Sequence, residues 1–549
     1  LDADALDRLE YLIAQLRKRG IYTYMDLMVH RVAMPGDGID AWADVPWGWK
    51  GYSLIDDRMI ELQKEYATEL LSHVNPYTGV SLAIDPGLAL MEVVNENDLF
   101  TSSITLEPFK SKFAARWATW LSGKGLPAGT ALDSADGRRF LTEVHDGFYA
   151  EMIEHVRGLG VGIPVTGTNW SINTSLLLSN AKLDFTDSHG YWDHPQDDFT
   201  TFSNVPMCGM DPAYQTGLHA QLGFNAVPGR PFFASEWDHP WINAYRAEAM
   251  PWIIARALVQ GWDGMALFSY RHSSGPVDRI TGAFETAVDP AYVSFYPAAA
   301  TMMLRGDLAE AAPTYVRISD PYEKTAPWTG EAWKTSMETS RTLTWLENQV
   351  GVPQPATAGA TVLAPSEAAF PASQKQGGDT AGQLTRNWAQ GVVRIDSPRA
   401  QGVVGFFAGK RQELGDIAVV VANDFASVLA TSVDDRPLGS SDRVLLTTVS
   451  RVENTGQKLE RAARWKVKQG GTGPPLVERV VGTVELPARN GAWKAWALDS
   501  KGVRGEAVAV SGSTLTMGAQ GAASVWYEAV FTPGEGTDGG LPGDAGEVP

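Results

Sequence analysis

The sequence has almost no cysteine, no long apolar run and too little positive charge to balance its acids. Its single cysteine, Cys208, cannot form an intramolecular disulfide or a thiolate metal cluster. No run of about 18 apolar residues is present, so no membrane-spanning helix is expected. With 45 basic and 64 acidic residues the net charge is −19, which would repel a phosphate backbone or an anionic membrane. Disulfide scaffolds, membrane insertion and nucleic-acid binding are therefore disfavoured.

The composition is otherwise that of a globular protein with unusually many aromatic rings. The 549 residues are enough for two or three domains, and 44% are hydrophobic. The 19 Trp and 16 Tyr residues are the unusual feature. Aromatic rings displayed in clefts stack on the flat faces of sugars, so a carbohydrate is the first partner to consider.

Residues 1–312 alternate helical patterns with short apolar runs, which predicts a parallel α/β domain. Six βα units are predicted, whereas a closed (β/α)8 barrel needs eight. The predicted strands are 21–29, 88–94, 163–167, 184–188, 231–235 and 265–269. The predicted helices include 1–20, 57–73, 106–121, 138–159 and 244–260.

The pattern changes in the second half of the chain. Residues 313–385 are predicted to be a connecting segment and linker, because 351–385 are rich in Pro, Ala, Gly and Ser. Short β-type runs separated by turn residues follow over 386–532 and predict a β-sandwich accessory domain. No aromatic triplet marks a carbohydrate-binding module, so a packing role is favoured. Residues 533–549 are predicted to be disordered.

Two glutamates stand where predicted strands end, which is where parallel barrels present catalytic groups. Glu96 follows one strand and Glu236 another. Cleavage of a glycosidic bond with retention needs two carboxyl groups about 5 to 5.5 Å apart, one protonated and one ionised. Beside them, Asn95 is suited to hydrogen-bond a sugar and Trp237 to stack on one. Solvated caps at strand ends are the alternative interpretation for each glutamate taken alone.

The ordered set of Asn95–Glu96, then His189-Gly-Tyr191, then Glu236 resembles glycoside hydrolase clan A. It is most similar to family 5, the cellulase-like (β/α)8-barrel glycosidases with a C-terminal β-sandwich, over about residues 1–310. The resemblance implies that Glu96 is the acid/base and Glu236 the nucleophile. It also implies that Asn95 hydrogen-bonds the sugar 2-hydroxyl, that Tyr191 orients Glu236, and that His189 lines the same wall.

The resemblance also implies that the first two βα units lie outside this sequence. If Glu96 ends strand four, residues 21–29 are strand three, and the given chain is expected to be an N-terminal truncation. Two positions depart from the family pattern. Met28 stands where relatives carry His, and His30 is a candidate substitute on the same face. Tyr270 stands at the end of strand eight, where relatives carry Trp.

Further tryptophans are candidate sugar platforms because they lie in predicted loops at the catalytic face. These are Trp47, Trp49, Trp170 and Trp192. The competing interpretation is that such rings pack as core beneath the loops. His194 and His239 each occur in an Asp-His-Pro triplet, but without metal-ligand spacing a structural role is favoured.

The pattern as a whole predicts a retaining β-glycoside hydrolase acting on β-linked poly- or oligosaccharides of the glucan or mannan type. Glu96 is expected to have a raised pKa, partly from the negative charge of Glu236, and no metal or cofactor is required. The alternatives are a non-catalytic carbohydrate-binding protein on a decayed barrel, a transglycosylase, and an exo-acting β-galactosidase or β-glucosidase. A polymer substrate implies an extracellular or periplasmic location; the sequence does not predict the oligomeric state.

Overall fold

The computed structural model describes residues 1–170, 174–197, 199–209, 222–223, 225–272, 274, 277–316, 361–363 and 375–534. Most of the predicted connecting segment and of the predicted tail lies outside the described residues. Residues 1–312 are called the parallel region below, and residues 375–534 the β-rich region.

Six parallel strands form the centre of the parallel region, in two three-stranded sheets. The strands of this region are β1 (Thr23–Met28), β2 (Leu88–Val94), β3 (Val165–Thr166), β4 (Thr186–Tyr191), β5 (Thr201–Phe202), β6 (Phe232–Asp238) and β7 (Gly264–Leu267). One sheet has the order β1-β2-β3 and the other the order β4-β6-β7. Each of these six strands overlaps a run that the apolar pattern predicts.

Helices connect these strands, and several begin at a side-chain cap. The α-helices are α1 (Ala3–Arg17), α2 (Asp57–Ser72), α3 (Phe109–Gly123), α4 (Ala135–Gly158), α5 (Thr174–Asn180), α6 (Ala249–Gln260), α7 (Pro290–Val293) and α8 (Tyr296–Arg305). Asp2, Asp56 and Ser134 accept backbone N–H bonds at the starts of α1, α2 and α4. Short 3₁₀ helices are Pro35–Asp37, Trp42–Asp44, Trp47–Trp49, Tyr52–Leu54, Leu82–Ile84 and Arg246–Glu248. None of the described helices is long and apolar enough to cross a membrane.

The two parallel sheets share one interior. Tyr24 on β1 reaches across it, where its hydroxyl donates to Asp187 on β4 and its ring packs edge-on against Phe185 and Phe233. Thr166 Oγ1 on β3 donates to the Phe185 carbonyl at 2.9 Å. The carboxyl ends of β2, β4 and β6 therefore open onto the same space.

The β-rich region contains a nine-stranded and a five-stranded antiparallel sheet. Its strands, with two that precede it, are β8 (Thr314–Val316), β9 (Thr361–Leu363), β10 (Gln376–Gly378), β11 (Leu384–Asn387), β12 (Val392–Asp396), β13 (Ala400–Gly405), β14 (Gln412–Glu413), β15 (Ala418–Val421), β16 (Ala426–Ser432), β17 (Arg443–Val449), β18 (Val452–Thr455), β19 (Lys458–Glu460), β20 (Trp465–Gln469), β21 (Thr472–Val477), β22 (Gly482–Glu485), β23 (Gly491–Leu498), β24 (Arg504–Val508), β25 (Val510–Ser511), β26 (Thr514–Met517) and β27 (Trp526–Pro533). The sheet orders are β10-β11-β12-β13-β16-β17-β27-β23-β24 and β14-β15-β22-β26-β25. Buried side chains from both sheets form one common apolar core.

The β-rich region packs directly on the parallel region. Trp252 and Ile253 of α6 are buried in the same apolar cluster as Val393 and Ile395 of β12. The predicted packing role of the second half is consistent with this shared core.

Two further contacts join the β-rich region to loops of the parallel region. Asn454 in β18 exchanges two hydrogen bonds with the backbone of Ile280, at 2.7 and 3.0 Å. The hairpin of β19 and β20 adds β5 as its third strand.

A buried ion pair also bridges the two regions. Arg246 and Asp289 are each 1% exposed, and Arg246 Nε lies 2.5 Å from Asp289 Oδ2. The same guanidinium donates to the Val452 carbonyl of the β-rich region at 3.0 Å. Because both charges are desolvated, each depends on the other for its compensation.

We expect Arg246→Met to lower the free energy of unfolding by about 3–5 kcal/mol, because Asp289 would remain as an uncompensated buried charge. Thermal and denaturant unfolding would measure this loss. Arg230→Met, at an exposed arginine, is the matched control. Equal stability of the two variants would contradict the importance of the buried pair.

Candidate active site

The first glutamate lies just beyond β2 in a strained backbone conformation. Glu96 has a φ of +44°, in the left-handed region that residues with a side chain seldom adopt. Its amide N–H donates to Asn169 Oδ1 at 2.9 Å, and the preceding amide of Asn95 donates to the Met28 carbonyl at 2.9 Å. These bonds hold a turn that aims the carboxylate into the common space.

Asn169 is a positioning residue that the sequence argument missed. Its Nδ2 donates to Asn95 Oδ1 and to Glu92 Oε2, both at 2.7 Å, while its Oδ1 accepts from the Glu96 amide. Asn169 is almost fully buried after β3. In the sequence, Asn169 is marked only by its position just after a predicted strand. The same kind of position identified Glu96 and Glu236.

The second glutamate lies on β6, in register with His189 on β4. His189 Nδ1 lies 2.9 Å from Glu96 Oε1 and 3.4 Å from Glu236 Oε2, so one imidazole bridges the two carboxylates. The Tyr191 hydroxyl donates to Glu236 Oε2. One donor atom from each of Glu96, His189 and Glu236 lies within 4.8 Å of the others. The structure thus brings together all three predicted residues and Tyr191.

The pKa of Glu96 is shifted in the direction opposite to the one that the sequence predicts. Burial alone would raise the pKa of Glu96, but the hydrogen bond and charge of His189 and the ammonium of Lys50 bring it below its ordinary value. Burial raises the pKa of Glu236, and the charges of Glu96 and Asp26 add to this effect. Burial would lower the pKa of His189, yet the facing carboxylates raise it overall. These directions favour a proton on His189 over one on Glu96.

Lys50 is held close to Glu96 by a tightly built loop. Its Nζ lies 3.4 Å from Glu96 Oε2. On one side Trp49 is fully buried beneath the Arg31 guanidinium, 5.0 Å from the ring centroid. On the other side Gly51, at φ +79°, donates its amide to Asn97 Oδ1 at 2.7 Å, and a Cβ there would lie 2.6 Å from Ser102. The sequence argument also missed this lysine.

Three predicted sugar platforms prove to be core residues. Trp49, Trp192 and Trp237 are 0%, 4% and 1% exposed, which leaves no ring face for a sugar. The prediction of a stacking role is therefore wrong for these three, because the rings fill space beneath the loops. Trp47, in contrast, is 66% exposed and stacks on His30 at 4.0 Å between centroids, and Trp170 is half-buried.

The structure places His30 close to the site but leaves Tyr270 largely exposed. Burial and the charge of Lys50 lower the pKa of His30, while Glu96 opposes them, so His30 lies within electrostatic reach of the site. Tyr270 is 66% exposed. The ring of Phe268 instead packs edge-on against Tyr191, 6.1 Å between centroids. The strand-end position expected for Tyr270 is thus taken by Phe268, because β7 ends earlier than predicted.

A second layer of acids lies beneath the carboxylate pair. Glu92 and Asp187 are fully buried, and Asp26 is paired with Glu92 in the strand register. Burial raises the pKa of Asp187 to about 6, and burial with the charges of Asp26 and Asp187 raises the pKa of Glu92 well above its ordinary value. These acids hold protons more readily than exposed carboxyl groups and so limit the negative charge under Glu236.

Glu96, His189 and Glu236 are also the described residues whose donor atoms are close enough to hold a metal ion together. A metal at that point would require His189 Nδ1 to give up the proton it donates to Glu96. The Tyr191 hydroxyl already donates to Glu236 Oε2, and Lys50 donates to Glu96 Oε2. The donor set therefore fits proton sharing between carboxylates better than a metal centre.

Solved structures that match the chain are glycoside hydrolases of clan A, as the resemblance in sequence predicted. An endo-β-1,4-mannanase from Thermotoga petrophila is 17% identical, with 57% of this chain and 66% of that chain covered and a TM-score of 0.37. A β-galactosidase from Rahnella sp. R3 is 11% identical, with 86% and 90% covered and a TM-score of 0.43. A family 42 β-galactosidase from G. stearothermophilus is 11% identical, with 96% and 90% covered and a TM-score of 0.42.

No protein-family model matches the chain, and no curated protein matches it. Because the TM-scores of the three structures are below 0.5, these similarities do not by themselves establish the fold or activity of this chain.

The contrast between Trp47 and Trp49 gives a direct test of their assigned positions. We expect Trp49→Ala to destabilise the chain by about 3–5 kcal/mol, because it leaves a large cavity. Trp47→Ala should change stability by no more than about 0.5 kcal/mol, because its ring is largely exposed. Denaturant unfolding of both variants would measure the difference; equal losses would contradict the burial of Trp49.

Proposed function

We propose that the protein is a retaining β-glycoside hydrolase that acts on β-linked poly- or oligosaccharides of the glucan or mannan type. The observation that carries the proposal is the pair of carboxylate oxygens of Glu96 and Glu236 within 4.8 Å. Oxygens this close are compatible with a retaining pair, whose carboxyl groups are about 5–5.5 Å apart.

Glu236 is assigned as the nucleophile. The Tyr191 hydroxyl donates to its Oε2, and such a bond stabilises the ionised carboxylate and fixes its orientation. His189, in register on the neighbouring strand, adds a positive charge 3.4 Å away. In the first step the Glu236 carboxylate attacks the anomeric carbon and forms a glycosyl ester.

Glu96 is assigned as the acid/base, with His189 as its proton partner. The pair holds one transferable proton across the 2.9 Å contact between Nδ1 and Oε1. Transfer from Nδ1 to Glu96 leaves a neutral imidazole and a carboxylic acid that can protonate the departing oxygen. In the second step the Glu96 carboxylate takes a proton from water, which attacks the ester and releases a product of retained configuration.

A bound sugar would favour this transfer in two ways. It excludes water from Glu96, and burial is the largest influence that raises the pKa of this carboxyl group. It also offers hydroxyl groups to Lys50, which lies 3.4 Å from Glu96 and is partly exposed. A lysine engaged by substrate stabilises the Glu96 carboxylate less.

We extend the proposal to the architecture around the site. The parallel region would belong to a (β/α)8 barrel, and the two sheets of the β-rich region would form a sandwich. The domain limits would be 1–312, 313–385, 386–532 and 533–549. A polymer substrate also suggests an extracellular or periplasmic location.

The roles of the two glutamates can be tested by chemical rescue. Glu236→Ala should lose turnover of an activated aryl β-glycoside, and azide should restore it with an α-glycosyl azide as product. Glu96→Ala should instead give a β-glycosyl azide with such a substrate, because the nucleophile remains. Product analysis by NMR, over aryl glycosides, β-glucan, mannan and xylan, measures both and identifies the sugar.

Glu154→Ala, at an exposed glutamate, is the control and should behave as the wild type. An exchange of the two azide products would reverse the assigned roles. Full activity of Glu236→Ala would refute the mechanism.

The influence of Lys50 predicts a change in pH dependence. The acid form of Glu96 is lost as pH rises through its pKa, and Lys50 helps to keep that pKa low. Lys50→Met should therefore move the basic limb of kcat/KM to higher pH, whereas Lys50→Arg keeps the charge and should stay near the wild type. A basic limb of Lys50→Met that coincides with the wild type would contradict the ion pair.

A second candidate is a carbohydrate-binding protein without turnover. The observation that favours it is the Lys50–Glu96 pair, which keeps the proposed acid ionised. Calorimetric binding of oligosaccharides without any hydrolysis would decide for it. Release of single sugars from chain ends would instead indicate an exo-acting β-galactosidase or β-glucosidase.

A further inference from the structure

One exposed hairpin of the β-rich region carries a charge opposite to that of the whole chain. Residues 458–468, called the basic hairpin below, contain five basic residues and one acidic residue in a chain of net charge −19. All five basic side chains are exposed. Lys468 pairs with Glu460 at 2.6 Å, whereas Arg461, Arg464 and Lys466 form no ion pair with any described residue.

The basic hairpin is attached to the loop that begins at the active site. β20 pairs with β5, and the Val467 amide donates to the Thr200 carbonyl at 3.0 Å. This loop starts at Tyr191, whose hydroxyl contacts Glu236. The strand pairing therefore joins the basic hairpin to the far end of the loop whose first residue contacts Glu236.

An exposed aromatic ring lies between the basic hairpin and the carboxylates. Phe199 is 54% exposed and is held at a φ of +61°, a conformation that costs about 1–3 kcal/mol for such a residue. Its ring lies 5.7 Å from that of Phe284, which lies 5.1 Å from that of Tyr191. A strained, exposed ring next to a carbohydrate site is suited to stack on a sugar.

The two acids described in the adjoining loop, Asp193 and Asp197, are engaged within that loop. Asp193 accepts the amides of Ser203 and Asn204 at 2.7 Å, and Asp197 accepts the Thr201 hydroxyl at 2.8 Å. Both carboxylates are thus used in shaping their own loop. Lys50 adds one more cation, inside the site itself and 3.4 Å from Glu96.

We propose that the substrate is an anionic glycan, a polymer whose sugars carry carboxylate or sulfate groups, and that the basic hairpin and Lys50 select it. The proposal rests on the proposed function and names its substrate class. Guanidinium groups match carboxylate and sulfate oxygens with paired hydrogen bonds, and Phe199 supplies the neutral stacking contact. In an acidic chain, a cluster of cations next to the site attracts such a polymer there, while the net negative charge repels it elsewhere.

The test is affinity electrophoresis in gels that contain three polymers with one backbone: hydroxyethyl-, carboxymethyl- and sulfated cellulose. The full chain is used with Glu236→Gln, which stops turnover. We expect the dissociation constant to be about tenfold lower for a charged polymer than for the neutral one, and the preference to weaken as salt is raised. The two charged polymers distinguish carboxylate from sulfate.

Replacing Arg461, Arg464 and Lys466 by Gln should abolish the preference. Replacing Lys410, Lys494 and Lys501 by Gln removes the same charge from other exposed positions of the β-rich region and should leave the preference intact. Arg461→Lys with Arg464→Lys keeps the charge and should retain most of it, which separates charge from a folding defect. Equal binding of all three polymers, or equal loss in both triple variants, would overturn the proposal.

The wild-type chain is assayed in parallel on small neutral aryl glycosides. Absence of turnover on those glycosides, on every polymer of the rescue panel and on the charged celluloses would refute the hydrolase, whatever the binding preference. Turnover without any preference for charged polymers would refute the anionic substrate and leave the hydrolase standing.

Discussion

Two carboxylates placed within 4.8 Å in a largely buried space repel each other, and the rest of the site is arranged around that repulsion. His189 lies between them, and the facing carboxylates raise the pKa of its imidazole. Tyr191 supports Glu236 from one side, and Lys50 supports Glu96 from the other. Without these partners one carboxyl group would take up a proton, and nothing would determine which of the two it is.

The β-rich region belongs to the same structural unit as the site strands. Its β12 shares an apolar cluster with α6, and Val452 receives a hydrogen bond from the buried Arg246. Its basic hairpin pairs with β5, the strand that follows the loop starting at Tyr191. Contacts between the two regions therefore affect both the stability of the protein and the loop that forms one wall of the site.

Much of the parallel region could be predicted because apolar runs bounded by turn residues have few alternatives to buried strands. The positions of Glu96 and Glu236 followed from the ends of those runs. The tryptophans could not be sorted in this way, because Trp47 and Trp49 are two residues apart in one segment and only packing decides which is covered. Lys50 and Asn169 act through loops, and the sequence does not reveal which loop side chains meet. Lys50 helps to lower the pKa of Glu96, and Asn169 holds the turn on which Glu96 lies.

The left-handed backbone at Glu96 has a consequence for how this chain can evolve or be engineered. Glycine adopts that conformation freely, so exchange of the glutamate for glycine would relieve strain and remove a charge from a crowded acidic space. Selection for heat resistance alone would thus tend to erase the residue on which the proposed chemistry depends. The retention of glutamate at this point represents stability given up for a carboxylate in a fixed direction.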